Sequence, residues 1–102
     1  MAWRLPRPKV WVYPRLLSEH AYGKLWTLDC TFGEFEAALE SAVVIAESQL
    51  AQSSFKELVL TVEWTHPLHV VVVVDPIREE ERILTVYQPN PGLWSPDYRR
   101  RR

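Results

Sequence analysis

The stretch from residue 42 to residue 89 constrains this chain more than any other part. Four segments lie in it: "AVVIAES", "ELVLTVEWT", "LHVVVVVDP" and "RILTVYQP". Each is rich in β-branched and aromatic residues, which fit a pleated surface, and each is bounded by polar or proline-bearing residues. Polar "AQSSFK" separates the first two, and charged "DPIREEER" links the last two as an exposed loop. Four consecutive strands with short links predict a mostly antiparallel sheet.

The residues before this stretch follow a different period. Thr31 and Glu34 have the spacing of a capping box, in which each side chain satisfies a backbone donor of the first helical turn. Phe32, Phe35 and Leu39 then form an apolar stripe, so a helix is expected across "TFGEFEAALES". Pro14 is suited to open an earlier helix, because its missing N–H is not needed there. Leu17, Ala21 and Leu25 share one face at spacing four, and Leu16, His20 and Lys24 make the neighbouring stripe. "MAWRLPRPKV" has two prolines and no alternation, so it is expected to be an extended arm.

The expectation is an α+β domain, with two N-terminal helices packed on one face of a four-stranded, mostly antiparallel sheet. Residues 1–13 are the arm, 14–98 the domain and 99–102 a basic tail. Burial argues for one register. Leu58, Leu60, Val62 and Trp64 face inward together with Leu68, Val70, Val72 and Val74 if Trp64 sits opposite Leu68 across Thr65-His66-Pro67. The odd-numbered residues Thr61, Glu63, His69, Val71 and Val73 then line an open second face. In the last strand Leu84 and Val86 point to the core, and Thr85 and Tyr87 to the open face.

At 102 residues the chain is one domain with a small core. Its 47% hydrophobic and 25% charged residues are those of a globular protein. No apolar run reaches the roughly 18–20 residues that span a bilayer, and "AWRLPRPKVWVY" does not read as a signal peptide. One cysteine, Cys30, excludes an internal disulfide. A cytoplasmic location and no membrane association are expected. The net charge of −1 conceals +4 over residues 1–24, −9 over 25–97 and +4 in Arg99 to Arg102. Such basic patches can attract phosphate even in a near-neutral chain.

The expected open face gathers His69, Glu63, Thr85 and Tyr87, with Lys24 and the tail arginines Arg99 and Arg100 in reach. Cleavage of RNA needs a group that removes the 2′-hydroxyl proton and one that protonates the leaving oxygen. A histidine does either. Arginine and lysine stabilise charge on the phosphate, and aromatic rings stack on bases. Trp94 can serve that way or can anchor the tail across the sheet. The bland reading of a strand His beside a Glu is an ordinary exposed pair. His66 and His69 lack a third partner, so no metal site is expected, and no cofactor motif is present.

"PLHVVVVVD" followed by "ILTVYQPNPGLWSPDYRRRR" resembles the bacterial family known as domain of unknown function 4258. The matching residues are Pro67, Leu68 and His69, then Thr85, Val86, Tyr87, Pro89, Trp94 and Arg99 to Arg101. In the first helix "HAYGKL" stands where that family has "HAxxRM", so His20 and Ala21 match while Lys24 replaces an arginine. The resemblance spans about residues 18–102. It implies an architecture like that of RelE-type toxins, and with it a metal-independent endoribonuclease of a toxin–antitoxin pair. RNA and a cognate antitoxin protein would be its partners. His69, His20 and Tyr87 are then the candidate catalytic residues. Lys24, Glu63, Trp94, Arg99 and Arg100 are the candidate substrate-binding residues. The alternative is a non-catalytic protein-binding module that docks a partner by strand addition.

Overall fold

The computed structural model describes residues 2–61 and 67–102. Its elements run β1 (Ala2–Pro8), β2 (Arg15–Leu17), α1 (Glu19–Leu25), α2 (Phe32–Leu39), β3 (Val43–Gln49), β4 (Phe55–Leu60), β5 (His69–Asp75) and β6 (Glu80–Tyr87). The described strands form one six-stranded sheet in the order β1-β3-β4-β5-β6-β2. All pairings are antiparallel except β2 with β6. No helix among the described residues is long and apolar enough to cross a membrane.

The domain is α+β, but the four-stranded sheet is corrected to a mixed, larger one. The proline-bearing N-terminus is not loose. Residues 2–8 pair with β3 as one edge strand, where the missing donors of Pro6 and Pro8 are tolerated. Residues 15–17, expected to open a helix, instead add a short parallel strand at the opposite edge. The helix starts at Glu19 because Ser18 caps it, its hydroxyl accepting from the Ala21 N–H at 3.0 Å. At α2 the capping box of Thr31 and Glu34 is present in both directions.

Residues 9–14 connect the two edges of the sheet and are held by buried charge. Lys9 is 7% exposed and its ammonium lies between the carboxylates of Glu57 and Glu81, 3% and 0% exposed. Glu81 also accepts the backbone N–H groups of Val12 and Tyr13, at 2.7 and 3.0 Å. Glu57 Oε1 is 2.8 Å from the Lys9 ammonium but has no aligned hydrogen-bond donor, so its stabilisation is coulombic. Arg7 reaches both Glu47 and Glu57. The crossing segment is thus fixed by ions that would be costly to bury alone.

The register differs from the expected one. Val59 pairs with Val70, Leu58 with Val71 and Leu60 with His69. Directly paired residues share a face, so Val59 joins Val70 and Val72 beneath the helices, against Ala21, Leu25, Phe35 and Leu39. Leu58 and Leu60 lie on the other side, in a second core with Ile45, Ala46 and Trp94. The expected inward set of even residues holds for β5 and is reversed for β4. The reason is that both faces are covered, so Leu58, Val59 and Leu60 are all buried and alternation carries no direction. A bulge at Leu84, between the pairs Val71–Thr85 and Val72–Ile83, also puts Ile83 rather than Leu84 in the core. The proposed turn and the residues Val62, Glu63, Trp64, Thr65 and His66 lie outside the described residues.

Candidate functional site

Ser18 docks the start of α1 on β6. Its N–H donates to the Ile83 carbonyl at 3.0 Å and its hydroxyl to the Leu84 carbonyl at 2.9 Å. Two residues on, His20 therefore overhangs the outer end of β6, and its Nε2 lies 3.1 Å from the Thr85 hydroxyl. His20 is exposed. Lys24 follows it by one helical turn, on the same stripe. Thr85 and Tyr87 are two residues apart on β6 and so project to one face, about 7 Å apart along the strand.

His69 belongs to that face as well, paired directly with Tyr87. Its surroundings are not the open surface expected. The imidazole is 0% exposed. Its Nε2 lies 2.7 Å from the Tyr98 carbonyl and its Nδ1 3.1 Å from the Tyr87 hydroxyl. A carbonyl only accepts, so Nε2 carries the proton and Nδ1 accepts from Tyr87. Trp94 packs its ring at 80° to the imidazole with centroids 4.2 Å apart, and meets Trp3 on its other side. Burial pushes the His69 pKa down, opposed by the Tyr98 carbonyl. Burial pushes the Tyr87 hydroxyl up, opposed by the charge of Arg101. As found here, His69 touches no solvent and cannot meet a substrate. Its ring orients Tyr87 and the tail.

The lid over His69 is the C-terminal segment. Its chain turns at Ser95–Tyr98, where Tyr98 has a left-handed φ of 61°. Ser95 N–H then donates to the Arg100 carbonyl and Arg102 N–H to the Leu93 carbonyl, at 2.8 and 2.9 Å. This doubling back sets Arg101 opposite Trp94. The Arg101 guanidinium is 5.9 Å from the Trp94 ring centroid. Arg102 is tied down by the carbonyls of Pro91 and Trp94. Trp94 is 5% exposed, so it anchors the tail and offers no ring face for a base. Arg99 is partly buried and Arg100 exposed.

The structure therefore sets His20 against Thr85, with Tyr87 two residues further along β6 and within reach of the charge of Arg101, and with Lys24 one helical turn beyond His20 on α1. It withdraws His69 and Trp94 into the second core. Glu63 lies outside the described residues. Arg101, not Arg99, is the arginine whose charge bears on Tyr87. The "SPDY" turn is the sequence signal for that placement, because Ser, Pro and Asp favour a chain reversal that returns residue 101 to residue 94. Comparison with protein-family models, with curated proteins and with solved structures gives no match. The family resemblance therefore rests on the quoted residues alone.

Proposed function

We propose that the surface formed by His20, Thr85, Tyr87 and Arg101 binds an RNA phosphodiester, and that the protein is an endoribonuclease of the RelE-like toxin type. The observation that carries this reading is the His20–Thr85 contact. It sets an exposed imidazole against the strand that bears Tyr87, with Lys24 one turn further along α1.

The reaction is a transesterification within the RNA. Neutral His20 takes the proton of a 2′-hydroxyl, and that oxygen attacks the adjacent phosphorus. The bond to the 5′-oxygen breaks, and this oxygen leaves with a proton returned by the imidazolium or by water. The products are a 2′,3′-cyclic phosphate and a 5′-hydroxyl. Lys24 and Arg101, with Arg99 and Arg100 on the same tail, stabilise the charge that builds on the phosphate oxygens. His69 is a positioning residue in this scheme, since it fixes the Tyr87 hydroxyl. A cognate antitoxin would be the protein that covers this surface.

The test is RNA incubated with the purified protein in chelator, both free and as message on ribosomes. New 2′,3′-cyclic phosphate ends are expected. RNA left intact in both settings overturns the reading. The alternative, partner binding by strand addition at a sheet edge, has less support. The outer strands are β1, which carries Pro6 and Pro8, and the three-residue β2 that follows Pro14. Such edges offer few donors to an added strand.

A further inference from the structure

The other side of α1 has a different character. Successive helical residues are about 100° apart, so Tyr22 and Trp26 point away from the stripe of His20 and Lys24. With Phe32 they are the most exposed aromatic side chains among the described residues. Tyr22 is 50% exposed, Trp26 76% and Phe32, at the start of α2, 50%. Tyr22 and Trp26 meet edge to face with centroids 6.0 Å apart. The three rings surround a pocket of about 340 Å³ whose wall includes Leu25 and Cys30. Large rings held in water around a concavity cost free energy unless something covers them.

The charge around this pocket is negative. Asp29 and Glu34 flank Cys30 on an adjoining depression. The thiol senses both: its pKa is raised by burial first, then by Glu34 and by Asp29. The one basic residue of α1, Lys24, projects to the opposite side. A pocket of aromatic faces beside a depression lined by two carboxylates matches a cation. Ring quadrupoles attract positive charge, and a planar guanidinium also stacks on them.

We infer that the groove between α1 and α2 docks a partner polypeptide through an arginine side chain, received by Tyr22, Trp26 and Phe32 beside Asp29 and Glu34. The flanking apolar residues of the partner cover the exposed ring edges. A pocket of this size takes one such side chain. The site is separate from the RNA surface and does not depend on it.

The test uses two capped hexapeptides differing at one position, with Leu-Arg-Leu or Leu-Gln-Leu at the centre, titrated into the full chain. The indole N–H of Trp26 is followed by NMR. The arginine peptide is expected to shift that signal saturably and to bind at least about tenfold more tightly than the glutamine peptide, a difference of about 1.4 kcal/mol. Trp26→Ala should abolish binding, and it leaves the fold intact because the ring is mostly in water. Asp29→Asn with Glu34→Gln should erase the preference for arginine. Glutamine at 34 keeps the capping box. Equal binding of the two peptides overturns the inference, as does no shift at millimolar peptide. It is also overturned if dilution of the protein alone moves the Trp26 signal, which would make the occupant a second copy, or if RNA moves it. RNA cleavage by Trp26→Ala separates the two surfaces: it should match wild type.

Discussion

The Nε2 of His69 donates to the backbone carbonyl of Tyr98 at 2.7 Å, across 29 residues of chain. This bond closes the C-terminal segment over the sheet; burial, not the bond itself, keeps the imidazole neutral, and its second nitrogen then accepts from Tyr87. Protonation would place a charge in a buried site and turn the Tyr87 hydroxyl from donor to acceptor.

The sign of the pH dependence follows. Burial holds the folded His69 pKa below the unfolded value of about 6.5. Between those values the unfolded chain binds the extra proton, so stability falls as pH drops below about 6.5 and levels off beneath the folded pKa. Urea unfolding from about pH 8 to about pH 5 should show this loss in wild type and a flatter profile in His69→Gln. Identical profiles would count against the clasp.

Tyr87→Phe removes the donor to His69 Nδ1 and leaves a buried acceptor unpaired. The expected cost is about 1–3 kcal/mol, read from denaturant midpoints. Trp94→Ala should cost more, about 3–5 kcal/mol, since the ring fills the second core. It should also open His69 to modification by an imidazole acylating reagent, which wild-type His69 should resist.

Much of this was legible in the sequence, and the failures have identifiable causes. The capping box at Thr31 announced α2, and the β-branched runs announced β3 to β6. β1 and β2 were hidden because prolines and short length mask edge strands, whose pairing depends on distant residues. The sealing of His69 was hidden too. Its cover is Trp94, 25 residues on, and its partner is a backbone carbonyl, which no side-chain pattern advertises. Treating the sheet as covered on one face only then led to the wrong register for Leu58 and Leu60. His20 and Lys24 were legible as a stripe, but the docking of His20 on Thr85 depends on the Ser18 contacts with β6.

Lys9 carries the crossing segment. Lys9→Met leaves Glu57 and Glu81 buried without their shared cation, and should destabilise the fold by about 3–5 kcal/mol. Thermal unfolding at neutral pH measures this. A change within experimental error would mean that the carboxylates reach water when the lysine is lost.

Thr31→Ala removes the cap of α2 and should cost about 0.5–2 kcal/mol without altering the proposed RNA cleavage, because α2 carries none of the residues assigned to that surface. A parallel loss of activity would link α2 to the RNA surface and contradict the separation of the two sides of α1.

The most direct measurement compares cleavage rates of His20→Ala and His69→Gln on the same RNA, each checked for folding by amide NMR. Removal of the exposed imidazole should slow cleavage by about 10²–10⁴-fold, while the folded His69→Gln protein, which loses only the group that positions Tyr87, should be slowed far less. A His20→Ala protein that cuts as fast as wild type, or a folded His69→Gln protein that does not cut at all, would contradict the assignment of the acid–base role to His20.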